Sequence, residues 1–272
     1  MLVYGVMLWR GVSIEPQWVV LSLLVIALAL GRGASFIFDW LPFLLLFMAY
    51  EVMRGFAART GFAPHDVSGL ERGIFGGQLP SLWLQQHFYD PRSIHPWDWL
   101  AIGFYFLHFP LPMVVAFVFW LNSREHYWRF VSALLLMCLI AFLTYLVFPS
   151  APPWIQYHGL IHKVSDETVS KWGVNYYISP IYFALYKLDP NLYAAFPSLH
   201  AAFPCLAMLY SWARYRLLGA GLVLYTACVW TAIVYLGEHY FVDALAGVAY
   251  ALAAAIFVEI VWRRFMRARP AS

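Results

Sequence analysis

Seven apolar runs recur along this chain, at residues 18–30, 36–53, 99–121, 130–148, 201–212, 217–236 and 240–262. A helix rising about 1.5 Å per residue needs roughly 20 apolar residues to cross a hydrocarbon layer of about 30 Å, and several of these runs reach that length. Inside such a layer every backbone N–H and C=O must pair within its own segment, so the runs read as α-helices rather than strands. The composition agrees: 63% of the residues are hydrophobic and only 11% charged, with a mean hydropathy of +0.68. The expected fold is all-α, a polytopic membrane bundle of six or seven spanning helices. The count turns on residues 18–30, a short run ended by Gly31-Arg32-Gly33 that either spans obliquely or lies in the interface.

No second domain or internal repeat is visible, and residues 1–272 read as one integral-membrane domain. Within it, residues 1–35 form an N-terminal helix, 36–262 a catalytic bundle and 263–272 a basic tail. Pro110 and Pro112 predict a kinked third helix. Residues 60–97 read as a long external segment with an amphipathic stretch at 79–88 resting on the membrane surface. A second long loop at 149–196 opens on Ala-Pro-Pro-Trp, which suits either a rigid turn or a lid. Arg32, Arg124, Arg129, Arg214, Arg216 and the arginines of the tail fall on one side of the implied hairpins. The positive-inside tendency makes that side cytoplasmic and turns the long loops outward.

These features narrow the function. The arginines are scattered between apolar runs instead of forming a basic stripe, which sets nucleic acid aside. Cys138, Cys205 and Cys228 sit singly inside apolar runs and read as packing residues. No run closes in a small-residue cleavage site near the start, so a cleaved signal peptide is not expected. A transporter would line a path with polar residues, whereas here they gather at one face.

That gathering lies between Ala194 and Gly247. Phe-Pro-Ser-Leu-His precedes the run at 201–212, and Gly-Glu-His-Tyr-Phe-Val-Asp follows the run at 217–236. The two runs make a hairpin about the basic turn at 214–216, so His200 and His239 return to the same end. Asp243 follows His239 by four residues, a spacing that on a helix places the carboxylate beside the imidazole and fixes its tautomer. Ser198 stands where an N-cap belongs, so the first-turn N–H groups beside His200 form an anion site. With the helix that follows His239, two helix N-termini would face one anion. A metal site would use the same three side chains, but no further carboxylates or cysteines lie nearby in sequence.

Taken in order and spacing, Phe-Pro-Ser-Leu-His and Gly-Glu-His-Tyr-Phe-Val-Asp resemble the second and third motifs of the type-2 phosphatidic acid phosphatase superfamily. Tyr-Glu-x-x-Arg at 50–54 and Pro-x-x-Pro-Pro-Trp at 149–154 look most like its inositol phosphorylceramide synthase branch and bacterial relatives. The resemblance implies a helical bundle holding its site at the outer helix ends, and metal-free, cofactor-free phosphoryl transfer through a phosphohistidine. It makes His239 the nucleophile, Asp243 its orienting partner and His200 the acid that protonates the leaving oxygen. It also implies a phospholipid donor and a lipid alcohol or water as acceptor, while the arginine distribution turns the site to the external or periplasmic face of a plasma (inner) membrane, or to a lumen. Ile233 stands six residues before His239, where the superfamily's phosphatases carry an arginine, and their upstream Lys and Arg motif is absent. A site so thinned of cations suits a diester monoanion better than a monoester dianion. Arg54, Lys171 and Lys187 are candidate replacement cations, and Ser198, Tyr240 and His108 are further candidate substrate contacts. Asp39 reads as a structural contact at the cytoplasmic end.

Overall fold

The computed structural model describes residues 16–57, 61–172, 191–212 and 214–268. Lys187 lies outside them, as does the side chain of Arg54. Helices α1 (Pro16–Ala29) and α2 (Gly33–Ala57) come first, then α3 (Ser68–Ile74) and α4 (Pro80–Phe88). They are followed by α5 (Pro96–Leu107), α6 (Pro110–Asn122), α7 (Arg124–Val147), α8 (Pro153–Gln156) and α9 (Val164–Trp172). The last three are α10 (Leu199–Trp212), α11 (Arg216–Tyr235) and α12 (Phe241–Ala268). Among the described residues the only β contacts are two isolated parallel bridges, His65 with Ser150 and Ser150 with Ala194.

The protein is an all-α integral membrane protein. Four helices, α2, α7, α11 and α12, are long and apolar enough to cross a membrane, and α5 with α6 makes a fifth span if the bent pair counts as one. The bend is 51° and falls before Pro110, whose ring cannot continue a helix from the preceding turn. The apolar helices α1 and α10 have 14 residues each, about 21 Å of rise, and are short of a full span.

Helical periodicity decides which faces pack. On α2, Phe36, Trp40, Phe43, Phe47 and Tyr50 recur every three or four residues and are buried, while Phe38 on the opposite face is 79% exposed. The buried stripe stacks on Phe117, Trp120, Tyr127 and Phe203. At the centre, α10 packs against α6, α7, α11 and α12.

The arginine-bearing end is closed by named contacts. Asp39 accepts a hydrogen bond from the Trp120 indole at 2.8 Å and pairs with Arg124, and its carbonyl accepts from the Tyr127 hydroxyl at 3.0 Å. Arg32 donates to the Leu121 carbonyl at 3.1 Å, and Arg129 pairs with Glu259. The histidine end lies at the other ends of the same helices.

The amphipathic stretch expected at 79–88 forms a helix, α4, with its polar side turned inward. Its polar residues Ser81 and Gln85 are buried against the protein, while Trp83 and Phe88 are exposed. The reason is a clamp: the Gln85 amide donates to the carbonyls of His162 (2.9 Å) and Tyr235 (2.8 Å) and accepts from the His162 N–H (2.8 Å).

Candidate active site

Helix α11 ends in a reversal that delivers His239. Gly237 takes a φ of +77°, and a Cβ there would stand 2.5 Å from the His162 carbonyl, so glycine alone fits the turn. The N–H groups of Glu238 and His239 both return to the Ile233 carbonyl, at 3.1 and 3.2 Å. Trp154 of the Pro-Pro-Trp segment donates its N–H to the Gly237 carbonyl at 3.2 Å, which docks that segment on the turn.

His239 is 4% exposed. Its Nδ1 lies 3.0 Å from the Ala195 carbonyl and 3.5 Å from Asp243 Oδ2. The Ala195 carbonyl can only accept, so Nδ1 carries a proton, and this is the tautomer that leaves the lone pair on Nε2. That Nε2 lies 2.9 Å from His200 Nδ1, which is therefore the donor of the pair. Ala195 is held in place by Ser150: the Ala195 N–H donates to the Ser150 carbonyl at 3.2 Å, and the Ser150 N–H donates to the Tyr193 carbonyl at 2.8 Å.

Asp243 meets His239 by a different route from the one its spacing suggests. His239 precedes α12, so the two do not share a helix face; Asp243 sits in the first turn and its Oδ2 accepts the Tyr240 N–H at 2.8 Å while facing the imidazole. The helix end itself is occupied. Glu71, fully buried on α3, accepts the N–H of Phe241 through Oε1 and of Val242 through Oε2, both at 3.0 Å. Burial pushes its carboxyl up from the ordinary range, against the pull of those two donors. The expectation of two helix N-termini facing one anion is thus corrected, because carboxylates already take the first-turn N–H groups of α12.

The α10 end fits the N-cap reading. Ser198 is buried, its Oγ accepts from the Ala201 N–H at 3.4 Å, and its own N–H donates to the Asp243 carbonyl at 3.0 Å. Tyr145 donates its hydroxyl to the Pro197 carbonyl at 2.8 Å.

The remaining candidates divide. His108, at the α5–α6 bend, packs its ring 4.0 Å from that of His200, and Tyr105 stacks on His200 at 4.7 Å. Tyr240 is 1% exposed among Val67, Leu79, Ile161 and Val242, so its ring is wall and not surface. Lys171 donates to the Tyr89 hydroxyl at 3.1 Å, in an outer network through Glu167 to His162. Ile233 is fully buried among Ala201, Val229, Val234 and Ala244.

Other residues at the site escaped the sequence reading. Glu71 and Gln85 lie in short polar stretches where a surface role is the default, and Ser150 and Lys163 are single polar residues of the loop at 149–196. Lys163 lies over the Trp154 ring at 5.0 Å, pairs with Asp166 at 2.9 Å, and is close enough to Glu238 to oppose the rise that burial gives that carboxyl.

A family model described as the PAP2 superfamily matches residues 76–257. The chain belongs to the PAP2 superfamily. The match takes in His200, His239 and Asp243 and leaves out Glu71. Among curated proteins, the phosphoinositol dihydroceramide synthase of Bacteroides thetaiotaomicron is 28% identical over 210 residues, covering 72% of this chain and 68% of that protein. No solved structure matches the chain. As a PAP2 member with a synthase relative, the protein is a membrane enzyme of the lipid phosphotransferase and phosphatase type.

Proposed function

We propose that this PAP2 enzyme passes a phosphorylated head group of the phosphoinositol type from a phospholipid to a lipid alcohol through a phosphohistidine on His239. The observation that carries the reading is the 2.9 Å contact between His200 Nδ1 and His239 Nε2, with His239 Nδ1 held by two acceptors. A lone pair and a proton donor already face each other along the line on which a phosphoryl group would come between them. Attack needs nitrogen about 3 Å from phosphorus, and the leaving oxygen needs hydrogen-bond reach of the acid, so the two rings part to about 6 Å on binding. His200 is only partly buried, stacked on Tyr105 and tilted against His108, whereas His239 is buried and held at Nδ1, so His200 is the ring that gives way.

The steps then balance. His239 Nε2 attacks phosphorus, the bond to the lipid alkoxide breaks, and the proton on His200 goes to that oxygen. Asp243 and the Ala195 carbonyl stabilise the charge that the substituted imidazole acquires. The acceptor hydroxyl next gives its proton to His200 and attacks phosphorus, the P–N bond breaks, and His239 is restored. The phosphoinositol head group rests on the name of the relative, phosphoinositol dihydroceramide synthase. Diester preference rests on the apolar packing of Ile233 where the superfamily's phosphatases have a cation. An outward-facing site at the plasma membrane is supported by Arg32, Arg124 and Arg129, which lie at the opposite end of the helices.

The test incubates purified protein with phosphatidylinositol and a ceramide-type alcohol and follows products by mass spectrometry. Head-group transfer that disappears in His239→Ala, and falls on the order of 10⁴-fold in Asp243→Asn, supports the reading. Release of phosphate from phosphatidic acid far faster than any transfer replaces it with a phosphatase.

A further inference from the structure

We infer that Glu71 is a positioning residue for this reaction: its carboxylate ties down the first turn of α12 and so sets the place of His239 and Asp243 on either side of it. The geometry is specific. Each carboxylate oxygen takes one backbone N–H, from Phe241 and Val242, at 3.0 Å, and these two residues fill the chain between Tyr240 and Asp243. Glu71 itself is fully buried, and Phe75, the residue that follows α3, packs edge-on against the Phe241 ring at 5.5 Å. Oδ2 of Asp243 accepts the Tyr240 N–H, so two carboxylates hold three successive backbone N–H groups of this turn. A shift of this turn by a fraction of an ångström alters the contact of Asp243 with His239 Nδ1 and the aim of Nε2 at phosphorus. The same two bonds keep phosphate away from this helix end, which leaves the α10 end, beside His200, as its seat. Glu71 touches no reacting atom in this scheme and acts through His239 and Asp243.

The inference rests on the phosphohistidine reading, and the experiment separates the two. Turnover and KM for the lipid donor are measured on purified full-length protein beside the thermal midpoint. Glu71→Gln keeps the shape but points an amide N–H at one of the two backbone donors. Its kcat is expected to fall about 10–100-fold with KM held within about threefold. In Glu71→Gln with Asp243→Asn the losses are expected to be less than multiplicative, because both changes act on one imidazole. Glu71→Asp, which keeps the charge and loses a methylene of reach, provides the same measurement if the glutamine variant does not fold. Wild-type kcat in a folded Glu71 variant, or losses that multiply fully with Asp243→Asn, overturns the inference. An active His239→Ala sinks both it and the phosphohistidine reading, whereas an inactive His239→Ala beside a fully active Glu71→Gln sinks the role of Glu71 alone.

Discussion

A Cβ added to Gly247 would stand 2.3 Å from the Ser198 carbonyl oxygen. Gly247 lies one turn beyond Asp243 on α12 and Ser198 caps α10, so this contact sets how closely the two site-bearing helices approach. Gly247→Ala is expected to force them apart, costing about 1–3 kcal/mol of stability and most of the turnover. A thermal midpoint and turnover equal to wild type would show that the helices do not depend on this approach.

Gln85 satisfies three backbone groups at once, two of them beside the turn that carries His239. Replacing it with leucine preserves volume and strands those groups. Gln85→Leu should destabilise the protein by at least about 2 kcal/mol and lower turnover in whatever fraction folds, read by denaturation in detergent beside an activity assay.

Restoring the arginine of the superfamily's phosphatases at position 233 is expected to fail as a gain of function. Ile233 is fully buried in an apolar cluster, and a guanidinium there has no carboxylate partner among the cluster's members. Ile233→Arg should cost about 3 kcal/mol or more and show as lost folded yield in size-exclusion profiles. A well-folded variant with raised phosphomonoesterase activity would mean that the side chain reaches the site by a path this packing does not provide.

Glu238 predicts a pH dependence. Burial raises its carboxyl above the ordinary value of 4.5, with Lys163 and the Ser165 hydroxyl opposing. The folded state thus holds this proton more tightly than the unfolded state, so the contribution to stability is full below pH 4.5 and is lost as pH rises through the higher folded value. Glu238→Gln keeps the Ser165 contact and removes the titration. Its thermal midpoint relative to wild type should therefore grow as pH is raised above 4.5; a difference that shrinks over that interval would contradict the assignment.

Sidedness can be read by labelling. Lys171 and Arg214 are both exposed and belong to opposite ends of the helices. In a background without Cys138, Cys205 and Cys228, a cysteine at 171 should react with an impermeant reagent on intact cells and one at 214 should not. The reverse pattern would move the histidine pair to the cytoplasmic face.

The sequence by itself determined whatever repeats with a local period. Apolar run length marked the helices, Pro110 marked the bend, and the hairpin about 214–216 returned His200 and His239 to one end, because each depends on neighbours within a few residues. His239 and Asp243 do lie side by side, but not through a shared helix face as their spacing suggests, since the chain leaves α11 at Tyr235 and re-enters a helix only at Phe241. Only the tertiary structure decided the support around that pair. Glu71 meets Phe241 across 170 residues, Gln85 meets Tyr235 across 150, and Ser150 orients Ala195 from the opposite end of the same long loop. A lone carboxylate or amide in a polar stretch carries no periodic signal, and solvation is its default. Burial against unpaired backbone N–H and C=O groups turns it into structure, and which segments bury which groups is settled by packing over the whole chain.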